Sequence, residues 1–146
     1  MTFTATAIRD EGLRFEVDVN GRHSLVTDEP ASLGGTDMGP APHELLPAAL
    51  ASCIATTVAM YAERHGWDVG QPRVDVSYDK DSTPRRIEIE LRLPDGLSAE
   101  RVSRLERVAE TCPLRRALEA GFEFEERTAE PLAQSAEVDA RPDRTS

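Results

Sequence analysis

Residues 34–53 read GGTDMGPAPHELLPAALASC, and this stretch decides the fold. Its first half belongs to a loop over 28–42 that is rich in proline and glycine, which leaves little room for regular structure. A loop of that length inside a compact domain is often functional. Its second half opens a helix that the pattern predicts over 43–65, ending before Gly66. The first part of this helix is apolar nearly all the way round, which indicates a central helix covered by other elements.

Pro47 leaves two starting points for this helix open. A helix that begins at Pro42 would lose one backbone hydrogen bond at Pro47 and would bend there. A helix with Pro47 in its first turn would simply be shorter. Beyond this proline, several small side chains would let other backbones approach closely: Ala48, Ala49, Ala51, Ser52 and Ala55.

Before the loop, the sequence predicts an antiparallel meander of three strands. Residues 13–19 alternate strictly between apolar and polar side chains, as in a strand with one face in water. Asn20-Gly21 is a strong hairpin signal, so 22–27 is the expected return strand. Residues 3–9 are the expected first strand of the meander.

After the helix, the pattern predicts two strands, two helices and a last strand. Residues 73–79 and 86–93 alternate as strands do. Ser98 is the expected N-cap of the next helix, and Pro113 starts a short helix over 113–120. Residues 122–127, FEFEER, are the expected last strand. The helix after Ser98 carries an apolar stripe formed by Val102, Leu105, Val108, Ala109 and Cys112.

Length and charge narrow the class of protein. The 146 residues suffice for one domain with a real core, expected over 1–127, followed by a polar tail over 128–146. An apolar fraction of 39% is low for a compact monomer and indicates that a second subunit completes the core. A net charge of -10 repels phosphate groups, so neither nucleic acid nor an anionic membrane is an expected partner.

The N-terminal sequence MTFTATAIRD lacks the basic and apolar regions of a secretory signal. We also expect no apolar run that approaches the length of a membrane span. The expected location is therefore the cytoplasm, where thiols are kept reduced and a disulfide is transient.

Each of the two cysteines has two interpretations. Cys53, in the middle of the central helix, is either an inert buried residue or a reactive thiol that needs an arginine or similar donor from elsewhere. The neighbouring Thr56 and Thr57 can bond back to helix carbonyls and carry no charge. Cys112 precedes Pro113, so it is a candidate N-cap where free N–H groups favour a thiolate; otherwise it merely ends an apolar stripe.

Metal ligation and hydrolytic catalysis have weak support. The sequence contains no C-x-x-C, no H-E-x-x-H and no close histidine pair. His43 and Glu44 open the central helix, and the ordinary explanation for Glu44 is that its charge complements the helix dipole. We therefore expect neither a metal nor a bound cofactor.

Taken together, the order of these elements and two motifs resemble the OsmC/Ohr family, the osmotically inducible protein C and organic hydroperoxide resistance proteins. The first motif is P-x-E-L-L…A-L-x-x-C over 42–53, within the stretch quoted above, and the second is AETCPLRRAL around Cys112. The resemblance covers about residues 1–127. It is closer to the broad OsmC-like branch than to Ohr itself.

This resemblance implies an α+β fold, an OsmC-like intertwined homodimer in which antiparallel sheets wrap around the central helices. It places the two active sites at the subunit interface. The implied activity is thiol-dependent reduction of organic hydroperoxides, with Cys53 as the peroxidatic and Cys112 as the resolving cysteine. Cys53 would become a sulfenic acid and condense with Cys112, and an external dithiol, of lipoyl type in related branches, would reduce the disulfide.

The resemblance also implies an arginine that stabilises the thiolate and a glutamate at the helix start that holds it. The arginine would come from the meander, where Arg9 is the first choice and Arg14 and Arg22 are alternatives. The family's glutamate position falls on His43, with Glu44 one residue later. This departure favours a second hypothesis, a dimer that binds a hydrophobic small molecule or senses redox state without peroxidase turnover.

Overall fold

The first part of the chain folds into the predicted meander. The structure, a computed structural model, describes residues 1–133. Three antiparallel strands pair in sequence order: β1 (Ala5–Glu11), β2 (Arg14–Val19) and β3 (His23–Thr27). Asn20 and Gly21 both adopt positive φ between β2 and β3, as the tight turn requires. The hairpin signal was therefore read correctly.

This meander adds little to the core of its own chain. Strand β1 is exposed at every residue, and Ile8 keeps 67% of its surface in solvent. On β2, Phe15 and Val17 are half-buried whereas Glu16 and Asp18 are exposed, so the predicted alternation is present. Within the described part of the chain, the buried core cluster includes no side chain from β1, β2 or β3. A second surface could therefore pack against the exposed apolar side chains of the meander.

Helix α1 spans Leu45–Arg64 and follows a short 3-10 turn at Pro42–Glu44. Pro47 is the third residue of the α-helix, where a backbone N–H has no intrahelical acceptor. The shorter of the two helices considered from the sequence is therefore the right one. One stripe of α1, with side chains four residues apart, is buried: Leu50, Ile54, Val58 and Ala62.

The rest of the domain covers that buried stripe. It consists of β4 (Arg73–Asp79), β5 (Arg86–Arg92), α2 (Ala99–Ala109) and α3 (Pro113–Ala120). Strands β4 and β5 pair antiparallel, and β4, α2 and α3 all contact α1. Ser98 caps α2 as predicted, because its Oγ accepts a hydrogen bond from the Arg101 N–H at 3.3 Å. Leu105, Ala109 and Cys112 complete the core cluster. The predicted α+β class, with antiparallel sheets and a central helix, is confirmed.

The strand predicted over 122–127 is wrong. Up to residue 133 this segment pairs with no other strand, and Phe122 and Phe124 are 60% and 92% exposed. Alternation makes a segment suitable for a sheet, but a neighbouring strand edge must supply its hydrogen bonds. Residues 128–133 of the predicted tail contain no helix or strand, and 134–146 lie outside the described residues.

The expectation about membrane-length runs also needs correction. Pro42–Arg64 is long and apolar enough, by length and composition, to cross a membrane. The central helix of a folded domain passes the same test, and α1 contacts β4, α2 and α3 along its length.

Candidate functional site

The packing of α1 against α3 brings the two cysteines together. Cys53 lies on α1, half-buried between the core stripe and the surface. Cys112 is the N-cap residue of α3 and is fully buried in the core cluster. Cys53 packs against the core cluster that contains Cys112, and the Cys112 thiol is among the groups that raise the pKa of the Cys53 thiol. Both remain free thiols.

The surroundings of Cys53 on balance favour its protonated form. Burial is the largest cause that raises the pKa of the Cys53 thiol, and the neighbouring Cys112 thiol raises it further. Two donors act in the opposite direction, the backbone N–H of Leu114 and the side chain of Thr57. None of these groups is a cation. Within residues 1–133, the groups that act most on the Cys53 thiol therefore supply hydrogen bonds to a thiolate but no positive charge.

The N-terminus of α3 acts on the Cys53 thiol, whereas the sequence suggested that it would act on Cys112. Cys112 occupies the predicted N-cap position, and Pro113 is the first residue of α3. However, the Cys112 side chain makes no capping hydrogen bond. The free N–H of Leu114 acts on Cys53 instead. The helix terminus thus favours the Cys53 thiolate, which the sequence alone could not show because it depends on how α3 packs on α1.

Thr57 has two roles beside Cys53. Its Oγ1 donates to the Cys53 carbonyl oxygen at 2.8 Å, the back-bonding that the sequence suggested for this residue. Its side chain also lowers the pKa of the Cys53 thiol. Thr56, one position earlier, is exposed. Of the two threonines, only Thr57 therefore belongs to the site.

The three candidate arginines all lie within the meander formed by β1, β2 and β3. Arg9 lies on β1, exposed, and its Nε donates to the Gly12 carbonyl at 2.7 Å. Arg14 forms ion pairs with Asp10 at 2.7 Å and with Glu11 at 3.2 Å. Arg22 is the last residue of the β2–β3 turn and is exposed. None of them is among the groups that shift the pKa of Cys53, so one chain alone does not bring the predicted arginine to the thiol.

His43 and Glu44 lie at the start of α1, ten and nine positions before Cys53. At about 1.5 Å rise per residue, that spacing puts them roughly 14–15 Å from Cys53 along the helix axis. Glu44 closes the preceding turn, because its Oε2 accepts from the Ala41 N–H at 2.9 Å. The His43 ring stacks on Tyr78 with centroids 6.3 Å apart.

His43 and Glu44 also border a cleft of about 350 Å³ with a largely apolar wall. The other residues that line the cleft are Glu29, Pro30, Leu33, Asp37, Ala41, Pro47, Tyr78 and Lys80. Neither cysteine lines it. The structure therefore places the two helix-start residues in a neighbouring cleft rather than at the thiol pair of the same chain.

Asp28 is a buried carboxylate that sequence reasoning missed. It is 1% exposed, and it accepts hydrogen bonds from the N–H groups of Glu29, Thr36 and Met38 at 2.8, 3.1 and 3.2 Å. The Thr36 hydroxyl is a further donor and the main cause that holds the pKa of Asp28 below its usual range. These bonds fix the loop that leads to His43. An aspartate at the start of a Gly/Pro loop is an ordinary turn residue, so no sequence signal set it apart.

Metal chemistry has no structural support among residues 1–133, where no group of three or more histidine, cysteine, aspartate or glutamate side chains could hold an ion. The nucleophilic group that the site does offer is a partly exposed thiol beside a buried one. Such a pair can be oxidised in sequence, first at the accessible sulfur and then to a disulfide.

The chain matches a protein-family model over most of its described length. A family model described as OsmC-like protein matches residues 35–127, which include both cysteines. No curated protein matches the chain significantly. The family match therefore rests on the same stretch that carries α1, the thiol pair and the β4–β5 hairpin.

Solved structures share the fold at low sequence identity. A protein of Psychrobacter arcticus 273-4, assigned to the osmotic stress and detoxification response, superposes with a TM-score of 0.67 at 24% identity, over 80% of this chain and 87% of that one. An OsmC-like protein of Mycoplasma pneumoniae has a TM-score of 0.67 at 17% identity, covering 82% and 88%. An organic hydroperoxide resistance protein OsmC of Legionella pneumophila has a TM-score of 0.56 at 22% identity, covering 81% and 89%.

Proposed function

This chain belongs to the OsmC-like family, and from that premise we propose that it is a homodimeric thiol peroxidase that reduces organic hydroperoxides through Cys53 and Cys112. The observation that carries the proposal is the contact between the two thiols, one half-buried and one fully buried. A peroxidatic and a resolving cysteine must lie close enough to form a disulfide, and two neighbouring thiols with unequal exposure are consistent with that requirement.

Each step of the proposed cycle balances. The Cys53 thiolate attacks the terminal oxygen of the hydroperoxide, and the O–O bond breaks. That OH group stays on sulfur as the sulfenic acid, while the other oxygen leaves as an alkoxide that takes up a proton to become the alcohol. The Cys112 thiol then attacks the Cys53 sulfur, releases water and forms the disulfide. An external dithiol, for which a lipoyl-type compound is the first candidate, reduces this disulfide and is itself oxidised to a cyclic disulfide.

A second subunit would supply what one chain lacks at Cys53. The thiol has hydrogen-bond donors but needs a positive charge for its thiolate, and Arg9 lies on a strand that is exposed along its whole length. In the proposed dimer, the meander of one subunit covers the α1 region of the other and carries Arg9 to its Cys53. Arg14 is less suited, because Asp10 and Glu11 already neutralise it.

The outer face of α1 supports the same dimer. Opposite the buried stripe, Ala48, Ala49, Ser52 and Thr56 are exposed in the single chain, and Met60 keeps 48% of its surface in solvent. Small side chains on a helix allow a second helix to approach closely. The low overall apolar fraction is also accounted for if two copies share one core.

The test is a turnover assay with cumene hydroperoxide and reduced lipoamide. We expect turnover by the wild-type protein, none by Cys53→Ser, and a single oxidation without turnover by Cys112→Ser. Among three matched arginine variants, Arg9→Gln should lose activity whereas Arg14→Gln and Arg22→Gln should keep most of it. Both thiols unchanged after a stoichiometric dose of cumene hydroperoxide would refute the peroxidase.

The alternative is a dimer of the same fold that binds a hydrophobic small molecule, or senses redox state, without a peroxidase cycle. Two observations favour it: His43 stands where the family has its glutamate, and the pKa of Cys53 is raised. A ligand-dependent rise in melting temperature without hydroperoxide consumption would support the binding protein. Disulfide formation with very slow turnover would support the sensor.

A further inference from the structure

A second cleft, of about 310 Å³, lies where the end of α1 meets α2. Its walls combine arginine and aromatic side chains, which are the groups that bind planar anions. The lining residues are Tyr61, His65, Trp67, Ser98, Glu100, Arg101, Arg104 and Arg107. Neither cysteine is among them, and Tyr61 lies eight positions beyond Cys53, or about 12 Å along the helix axis.

Three aromatic rings form one wall of this arginine–aromatic cleft. Tyr61 stacks on His65 with centroids 4.1 Å apart and meets Trp67 edge-on at 5.7 Å. His65 and Trp67 are 5.2 Å apart. Tyr61 and Trp67 also pack against the core cluster, so this wall is anchored to the folded domain. It offers a fixed surface on which a flat ring can stack.

Three arginines form the opposite wall. They recur every third residue along α2 and therefore share one face of the helix. The Arg101 guanidinium lies over the Trp67 ring at 5.1 Å, and that of Arg104 lies over the Tyr61 ring at 5.9 Å. Arg104 is further fixed because its Nε donates to the Tyr61 hydroxyl at 2.6 Å. The three-residue spacing of these arginines can be read from the sequence. Their position opposite an aromatic wall cannot, because it depends on how α2 packs against the end of α1.

Among the described residues, this wall carries more positive than negative charge. None of the ion pairs within residues 1–133 involves Arg101, Arg104 or Arg107. In the same part of the chain, Glu100 is the one carboxylate that lines the cleft. Elsewhere on this chain of net charge -10, arginines such as Arg14 pair with acidic neighbours. Arg104 Nε donates to the Tyr61 hydroxyl and Arg107 Nη1 donates to the Ser103 hydroxyl at 2.8 Å. Within residues 1–133 the other guanidinium N–H groups of these two side chains make no hydrogen bond, so they are available to a ligand.

We propose that the arginine–aromatic cleft binds a small ligand that carries an anionic head group, a carboxylate or a phosphate ester, on an aromatic ring. The ring stacks against Trp67 and His65. The head group accepts charge-assisted hydrogen bonds from the terminal nitrogens of Arg104 and Arg107. This site is independent of the thiol pair and of the proposed peroxidase.

The single tryptophan of the chain makes a direct test possible, since Trp67 lines the cleft. Fluorescence excited selectively at tryptophan and the one indole N–H resonance both report on this site alone. The probes are phenyl phosphate and benzoate, with inorganic phosphate as the anion that lacks a ring and benzyl alcohol as the ring that lacks a charge. Arg104→Gln and Arg107→Gln test the head-group contact. Arg86→Gln, at an exposed position on β5, is the matched control.

We expect phenyl phosphate or benzoate to bind saturably and at least roughly tenfold more tightly than inorganic phosphate or benzyl alcohol. Each cleft variant should weaken binding by about tenfold or more, and added salt should weaken it further. Arg86→Gln should bind as the wild type does. The tighter of the two probes identifies the head group. Arg107 donates to Ser103 on its own helix rather than to the aromatic wall, so its variant keeps the test valid if Arg104→Gln folds poorly.

The proposal is overturned if neither aromatic anion gives a saturable change at Trp67. It is equally overturned if inorganic phosphate binds as tightly as phenyl phosphate, or if both arginine variants bind with wild-type affinity. None of these outcomes depends on hydroperoxide turnover, so failure here leaves the proposed peroxidase untouched.

Discussion

The Cys53 thiol on α1 lies against the Cys112 thiol at the start of α3, and the second of these sulfurs is completely buried. Solvent therefore has better access to the Cys53 thiol than to the Cys112 thiol. A reagent from solvent reaches Cys53 first, and the only thiol enclosed with it is Cys112. This order of access is what a peroxidatic and a resolving cysteine require, and it makes the following predictions about each thiol separately testable.

Replacing Cys112 should make Cys53 more acidic. The Cys112 thiol raises the pKa of Cys53 both as a side-chain hydrogen-bonding neighbour and through its charge. Cys112→Ala removes both effects, so the pKa of Cys53 should fall and its thiolate fraction at neutral pH should rise. The rate of alkylation by iodoacetamide as a function of pH measures this. Thr111→Ala, at the exposed neighbouring position, is the control; an unchanged or higher pKa in Cys112→Ala contradicts the prediction.

Replacing Thr57 should have the opposite effect. Its side chain lowers the pKa of Cys53, so Thr57→Val, which keeps the shape and removes the hydroxyl, should raise that pKa and slow alkylation at neutral pH. Thr111→Val is the control because it makes the same chemical change at an exposed threonine outside the outer face of α1. Equal alkylation rates in the two variants would show that the Thr57 hydroxyl does not act on the thiol.

Sequence reasoning located most of the fold because each local signal was strong. Alternating side chains marked β2, β4 and β5, Asn20-Gly21 marked the hairpin, and Ser98 marked the start of α2. The segment 122–127 has the same alternation yet pairs with no strand within the described residues. Its pattern was read correctly, but pairing depends on an edge that no local pattern reveals.

The candidate site was only partly predictable for the same reason. The two cysteines stood out by position, whereas the donors that act on Cys53 did not. The Leu114 N–H reaches Cys53 through the angle at which α3 packs on α1, and a backbone group has no sequence signature. Asp28 was missed because its partners come from a loop whose path is set by tertiary packing.

Asp28 should make the stability of the loop depend on pH. Hydrogen bonds from Thr36, Met38 and Glu29 hold its pKa below the usual value of about 3.9, so the folded state binds a proton less readily than the unfolded chain. The stabilisation is fully present above that unfolded value and is lost as the pH falls through the folded pKa. Asp28→Asn should lower the melting temperature at neutral pH by several degrees and flatten its decline in acid.

The control for Asp28 lies in the same loop. Asp37 is exposed and has positive φ, a conformation that asparagine tolerates well. Asp37→Asn should therefore leave both the melting temperature and its dependence on pH nearly unchanged. Calorimetry of the three proteins between neutral and acidic pH measures the difference. The role given to Asp28 fails if its variant and that of Asp37 melt alike.

A charge on the outer face of α1 should separate the proposed dimer. Ala49 is exposed in the single chain but would be covered if two α1 helices pack together, so Ala49→Arg would bury an unpaired guanidinium at that contact. We expect its dimer dissociation constant to rise at least roughly tenfold, or about 1.4 kcal/mol, as measured by analytical ultracentrifugation. Ala120→Arg makes the same chemical change at the exposed end of α3 and should not alter association.

Because the proposed cycle needs an arginine from the second subunit at Cys53, Ala49→Arg should lose peroxidase turnover in parallel with dimerisation. A variant that becomes monomeric yet keeps full turnover would place the required cation in the same chain and would overturn the shared active site.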